Sequence, residues 1–404
     1  MTDAYAALRH RDFRLYMLSA GLATIGIGAQ STALGWELYA RTGLFTTILF
    51  QALVEAGPML LLTLPAGYIA DRFDRRIVSA ICFAAGSMSS LTLALLSAAG
   101  ASPSALLAVL AFNACVLTIA RPSRGALLAL TVPGELLAQA VAWRSSLLQV
   151  CSVAGPAIGG LFAWLWLPGA YLFSATTAAL CVVSVLPMRT RQEFGEATGS
   201  IVASTLEGMR FLFSNKVLLA ASSLDLFAVL LGGATYLLPV FVKDILQVDP
   251  WALGVLRAAP AVGAACMALT LAHRPPLRRA GRSMLFAVAG FGVATIGFAL
   301  SRELWLSVFC LFLTGVFDNL SVVVRGTLLN LLTPDHLRGR VTAANWIFIG
   351  SSNQIGGMES ALVATWLGAV GSVLFGGVGA IFVAAIVWFA APALRDYGRL
   401  DQRP

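Results

Sequence analysis

Twelve apolar runs recur along this chain, most of them 20 residues or longer, and a bilayer's hydrocarbon core takes about 20 residues to cross as a helix. They fall at 13–39, 44–69, 77–98, 104–128, 145–166, 169–188, 217–241, 251–272, 283–300, 303–331, 342–366 and 371–392. Only 11% of the residues are charged and 58% are hydrophobic, against about 25% charged in a soluble domain. One soluble core cannot hide that much apolar surface, which excludes an ordinary cytosolic enzyme and a disordered chain. The runs are too long for strands and lack a period of two, while their glycine, alanine and serine suit close helix packing in lipid. The fold class predicted is an all-α membrane protein of 12 transmembrane helices. The first run exceeds the length of a signal-peptide core and is expected to stay as a helix.

The net charge of +8 does not form a nucleic-acid patch, because the basic residues sit in short clusters between apolar runs. With the N-terminus taken as cytoplasmic, 22 of the 27 Lys and Arg fall on that side. Arg41, Lys243 and Arg302 fall on the other, and Arg257 and Arg325 lie within spans. This positive-inside bias predicts cytoplasmic termini in a bacterial-type inner membrane. The six cysteines all lie in apolar runs without a CxxC pair and read as small buried hydrophobes. The histidines His10, His273 and His336 do not cluster, so no metal site is expected.

An internal repeat divides the chain. RGALLALTVP (Arg124 to Pro133) and RGTLLNLLTP (Arg325 to Pro334) share six of ten positions at an offset of 201 residues. This predicts two six-helix bundles related by pseudo-twofold symmetry, residues 1–188 and 217–404, with a substrate site near midplane. The connecting segment 189–216 is a polar cytoplasmic linker whose second half reads as an interfacial amphipathic helix.

After the second run comes GYIADRFDRR, with Gly67, Asp71, Arg72, Asp74, Arg75 and Arg76. It resembles the cytoplasmic loop signature G-x-x-x-D-R-x-G-R-R of the major facilitator superfamily, with Asp74 at the second glycine. CSVAGPAIGG in the fifth run is similar to the antiporter signature G-x-x-x-G-P-x-x-G-G of that superfamily. Gly155, Pro156, Gly159 and Gly160 match, and Cys151 replaces the first glycine. RHRDFRLY, LVEAGP, TPDHLRGRV and SSNQIGGMES resemble the enterobactin-exporter-like branch, with Gln354 where that branch usually has an acid. The resemblance spans the chain. It implies the major facilitator fold, a cytoplasmic gate latched by the loop, and export.

A charge at a helix centre costs about 2.5–3.5 kcal/mol on insertion scales, so each intramembrane charge needs a partner, water or a function. Glu55 and Asp318 lie centrally in their runs and Glu359 in the outer half of its own. Thr314, Asp318, Ser321 and Arg325 follow the spacing of one helix face, as do Asp225, Val229, Gly232 and Tyr236. The sharper reading has Glu55, Asp318 and Glu359, with Arg325, bind protons or a cationic part of the substrate in competition. The plainer one pairs Asp318 with Arg325 through water and leaves Glu359 structural. Gln30, Asn113, Gln149, Asp225, Tyr236, Asn345, Trp346, Asn353 and Gln354 are candidate cavity liners, Asp225 also a gate contact. Glu37, at an outer helix end, reads as structural, with room to snorkel. Arg121 and Arg124 could attract an anionic substrate or anchor at headgroups.

No GxxxxGKS loop is present, so the predicted activity is not enzymatic and draws on a proton gradient, with no cofactor. A secondary transporter working by alternating access is expected, exporting a small organic molecule such as a siderophore or drug. It is expected to act as a monomer in the bilayer without nucleic-acid partners. An importer or uniporter of the same fold, or a lipid transporter or scramblase, is the alternative.

Overall fold

A computed structural model describes residues 5–189, 201–231, 234–273, 279–334 and 337–398, without the side chains of 64, 201–205, 343, 346–348, 351 and 354. Among these residues every regular element is helical. A single turn, α1 (Ala6–Arg9), leads into α2 (Arg11–Thr42), α3 (Phe45–Arg72), α4 (Arg75–Ala98), α5 (Pro103–Leu130), α6 (Leu137–Leu165) and α7 (Leu167–Val185). Then come α8 (Ile201–Ser214) and α9 (Lys216–Leu231), followed by the short α10 (Leu238–Val240), which passes into a π-helical turn at Phe241–Ile245. The chain continues through α11 (Trp251–Ala272), α12 (Ala280–Leu300), α13 (Leu304–Leu332), α14 (Arg338–Ala390) and α15 (Pro392–Arg395).

Eleven helical stretches among the described residues are long and apolar enough to cross a membrane. The twelfth span is contained in α14. Its 53 residues would reach about 80 Å at 1.5 Å per residue, over twice the ~30 Å hydrocarbon core. Gly368 breaks it with φ 73° and ψ 172°, a backbone region essentially closed to other residues, and thus separates the last two spans. The fifth span starts earlier than expected. Helix α6 begins at Leu137 rather than 145, so Arg144 is part of a helix and not of a loop.

The chain divides into two compact units, residues 1–196 with 249–258, and 197–248 with 259–404. In the first, α2 packs on α6 and α7, α3 on α5, and α4 on α5 and α7. Lipid offers no hydrophobic drive for helix association, so close van der Waals contact has to supply it. The glycines of α6 permit that contact. A Cβ at Gly155 would stand 3.0 Å from the Ile25 carbonyl oxygen, and one at Gly159 would stand 2.8 Å from Ala29 Cα. Gly160 meets Gly254 of α11, where a Cβ would lie 2.6 Å from the Gly254 Cα. Cys151, at the motif's first glycine position, is buried 3.4 Å from where a Gly21 Cβ would sit.

In the second unit α12 packs on α13 and α14, and α9 on α14. Helix α8 docks on α14 as well: Leu212 is fully buried in the core with Leu218, Val324 and Leu328. Glu207 pairs there with Arg340. The amphipathic helix of the linker therefore covers protein with one face and leaves Leu206 and Phe213 exposed on another. Of the cysteines, Cys82, Cys151, Cys181 and Cys310 are buried and Cys115 partly so, but Cys266 is exposed, contrary to expectation.

Gly159→Val is expected to separate α2 from α6. Overpacking of this kind costs about 1–3 kcal/mol, read as a melting temperature several degrees lower for the protein in detergent. Gly57→Ala, where nothing lies within 4 Å of the added Cβ, should leave the melting temperature unchanged or raise it.

Candidate substrate and coupling sites

The second unit gathers three of the predicted charges. Asp225 on α9 and Arg325 on α13 form an ion pair, each about 4% exposed. Asp225 is thus not at a helix end but inside the unit, and it, not Asp318, is the partner of Arg325. The arginine is long enough to cross to α9, whereas Asp318 lies two turns back along its own helix. Thr314, Ser321 and Arg325 are buried on the same face of α13, as the spacing predicts. Asp318 has neither a hydrogen bond nor an ion pair among the described residues. It borders, with Asp225, Phe291, Phe317 and Ser321, a cavity of about 10 Å³, room for one water. The hydroxyls of Ser222 and Ser321 and the side-chain oxygen of Asn319 are buried nearby in sequence without partners. Two carboxylates around one guanidinium leave one negative charge uncompensated.

Glu359 is partly buried and accepts from Ser360 Oγ at 3.3 Å. Asn345 is buried with its side-chain oxygen unpartnered. Asn353 is exposed, donating back to the Ile349 carbonyl at 2.9 Å, which makes it a poor cavity liner. Tyr236 packs on Gly357, whose missing side chain makes the room. Gly356 similarly lets α14 approach α9, a Cβ there lying 2.8 Å from the Val229 carbonyl oxygen. The side chains of Trp346 and Gln354, and Gly232, lie outside the described residues.

In the first unit Gln30 and Asn113 come together. Gln30 Oε1 accepts from Ser90 Oγ at 2.6 Å, and Ser90 reaches Ser174 Oγ at 3.4 Å. These polar groups line a narrow cavity of about 30 Å³ with Asn113. Glu55 does not line it. That carboxylate is partly exposed on α3 and accepts from Gln51 Nε2 at 3.1 Å, one turn away. Gln149, on α6, is also partly exposed and apart from this group. Glu37 does not snorkel: it is 1% exposed, accepting from Ser97 Oγ at 2.8 Å and from the Tyr171 hydroxyl, and it pairs with Arg41. Arg257 donates to Ser31 Oγ at 2.8 Å.

The loop motif is held by short-range chemistry. Asp71 pairs with Arg75 at 3.6 Å. Asp74 caps α4, accepting from the backbone N–H of Arg76 at 2.8 Å and of Ile77 at 3.4 Å, which explains an aspartate where the signature has glycine. Arg76 also pairs with Asp74 at 3.3 Å and donates to the Met188 carbonyl, while Arg72 donates to Tyr68. Gly67 lies within α3, a turn before Asp71. Arg121, Arg124 and Arg144 line one cavity in the first unit, a grouping that the sequence alone does not reveal. The one-turn spacing of the first two was the available signal, and counting Arg144 as loop charge obscured it.

Eleven spanning stretches and an additional span beyond Gly368 define a polytopic membrane protein. The profile of the Major Facilitator Superfamily matches residues 16–346, and the chain belongs to that superfamily. It is 27% identical over 402 residues to the enterobactin exporter EntS of Escherichia coli K12, covering 96% of this chain and 94% of that one. The same identity holds over 378 residues with EntS of Shigella flexneri, 92% of this chain and 86% of that one. Among solved structures, a bacterial homolog of the human lysosomal transporter Spinster, inward-facing and unoccupied, superposes with a TM-score of 0.75 at 14% identity, covering 95% and 97% of the two chains. The nucleoside transporter NupG gives 0.67 at 14%, with 96% and 99% covered. These likenesses establish the fold and a membrane transporter of small molecules.

Arg325→Met leaves two buried carboxylates without a counter-charge, a loss of about 3–5 kcal/mol, whereas Asp225→Asn leaves Arg325 to Asp318 and should cost less. In a double-mutant cycle, Asp225→Asn/Arg325→Met is expected to recover part of the melting temperature lost in Arg325→Met, Asp318 remaining as the unpaired charge.

Proposed function

We propose that the chain is a proton-coupled exporter of a small organic molecule, a siderophore or drug, working by alternating access. The observation that carries the reading is Asp318, a carboxylate with no hydrogen bond or ion pair among the described residues, beside the Asp225–Arg325 pair. A proton on Asp318 removes the uncompensated charge, and a proton on Asp225 would release Arg325 to Asp318. Either event rearranges contacts between α9 and α13, the kind of bistable element that a transport cycle needs. Glu55 and Glu359 are supporting proton or substrate groups. Export is supported by the relatives named as enterobactin exporters and by the Gly155, Pro156, Gly159 and Gly160 motif. The moving bodies are residues 1–188 and 217–404, joined by 189–216, with the loop at Gly67–Arg76 acting as the gate latch. The arginine distribution supports cytoplasmic termini in a bacterial inner membrane, and the transporter acts as a monomer.

Proteoliposomes with an imposed pH gradient test this. Flux of candidate siderophores or cationic dyes should rise at least about tenfold with the gradient. Asp318→Asn should abolish that response while retaining gradient-free exchange, and Glu55→Gln should reduce it. Flux indifferent to the gradient removes the coupling, and full coupling in both variants returns the carboxylates to a structural role.

A further inference from the structure

We propose that the first unit contains an oxyanion site, a cavity that holds the carboxylate or phosphate of a small soluble organic anion. It lies among α2, α4, α5, α6 and α7, toward the end of the unit that carries Tyr16 near the start of α2, and measures about 190 Å³. A cavity of about 150 Å³ accepts benzene, so this one has room for a small ring and its acid group.

The charge in its wall is one-sided. Arg121, Arg124 and Arg144 all line it, and among the described residues no aspartate or glutamate does. Arg121 and Arg144 both repel Arg124. Two of the guanidinium groups are nevertheless held in place. Arg124 stacks 5.0 Å over the Phe83 ring, Arg121 contacts the Met59 sulfur at 3.5 Å, and Arg144 lines the cavity together with Tyr16. The Nε of Arg144 is buried without a hydrogen-bond partner. Headgroup anchors direct their donors outward along snorkelling side chains. Here one donor, the Arg144 Nε, is buried, and all three arginines line one cavity although Arg121 is exposed. Planar guanidinium forks bind carboxylate and phosphate oxygens in pairs, and an anion would relieve the mutual repulsion.

The site deepens the transport reading by giving the cargo an acidic group. It rests on that reading only where the anion is taken as cargo. Binding needs no gradient, so failure of proton coupling would leave this site intact, and failure of this site would leave coupling open.

The test uses the full chain in neutral detergent at constant chloride, titrated with benzoate, inorganic phosphate, neutral benzamide and, separately, phosphatidylglycerol. Benzoate or phosphate is expected to bind saturably and raise the melting temperature, and benzamide is not. Arg144→Gln and Arg121→Gln should each weaken binding at least about tenfold. Each should also melt no lower than wild type without ligand, because removing one of three like charges relieves repulsion. A structural arginine would lower it. Equal binding of benzamide, unaltered anion binding in both variants, or protection by phosphatidylglycerol alone overturns the proposal, the last result making the arginines headgroup anchors.

Discussion

Taking a charge out of water is the cost around which this molecule is arranged. Inside a bilayer an isolated ionised side chain is expensive, and the structure meets that cost in three ways. Most basic residues are kept at helix ends. Glu37 is surrounded by Ser97, Tyr171 and Arg41, so its buried carboxylate is fully engaged. Asp225 and Arg325 neutralise one another. What remains after these solutions is small: Asp318 and Glu359 in the second unit and a cluster of arginines in the first. Charges that architecture leaves unmatched are the ones available to a ligand or a proton.

Helix association depends on a second consequence of the same solvent. Where lipid is as apolar as leucine, specificity comes from how closely backbones approach. Gly155 and Gly159 bring α6 onto α2, and Gly356 brings α14 onto α9. The same residue type works differently at Gly368, where a positive φ ends one span and starts the next. The antiporter-like motif therefore has a packing meaning that holds whatever the direction of transport.

Much of this was legible in the residues, for physical reasons. Span count follows from runs of hydrophobicity, which are local. The helix-face stripe at Thr314, Ser321 and Arg325 follows from a helical period, and all three are buried together. Partner choice was not legible. Nothing in the spacing shows that Arg325 crosses to α9 while Asp318, on its own face, stays alone. Glu37 was assigned a position from its place near a helix end, but burial there is decided by α4 and α7, which sequence does not align with it. Arg144 was counted with loop charge because the apolar run starts after it, although the helix begins seven residues earlier. Asp74 shows the reverse case: a departure from a signature that a helix cap explains at once.

The arrangement of the unmatched charges alters how coupling should be pictured. If proton and cargo shared one carboxylate, as the sequence alone suggested, release of one would directly admit the other. Here the surplus negative charge belongs to α13 of the second unit and the surplus positive charge to α5 and α6 of the first. On the proposed reading a proton would neutralise the former and an acidic cargo the latter, so the two ligands would not compete for one group. Exchange between them then has to act through the conformational equilibrium, each ligand favouring the state in which its own site is best formed. By reciprocity the cargo must shift proton affinity by the same factor that the proton shifts cargo affinity. Substitution of an arginine should consequently change cargo binding without abolishing proton binding, whereas a shared carboxylate would lose both together.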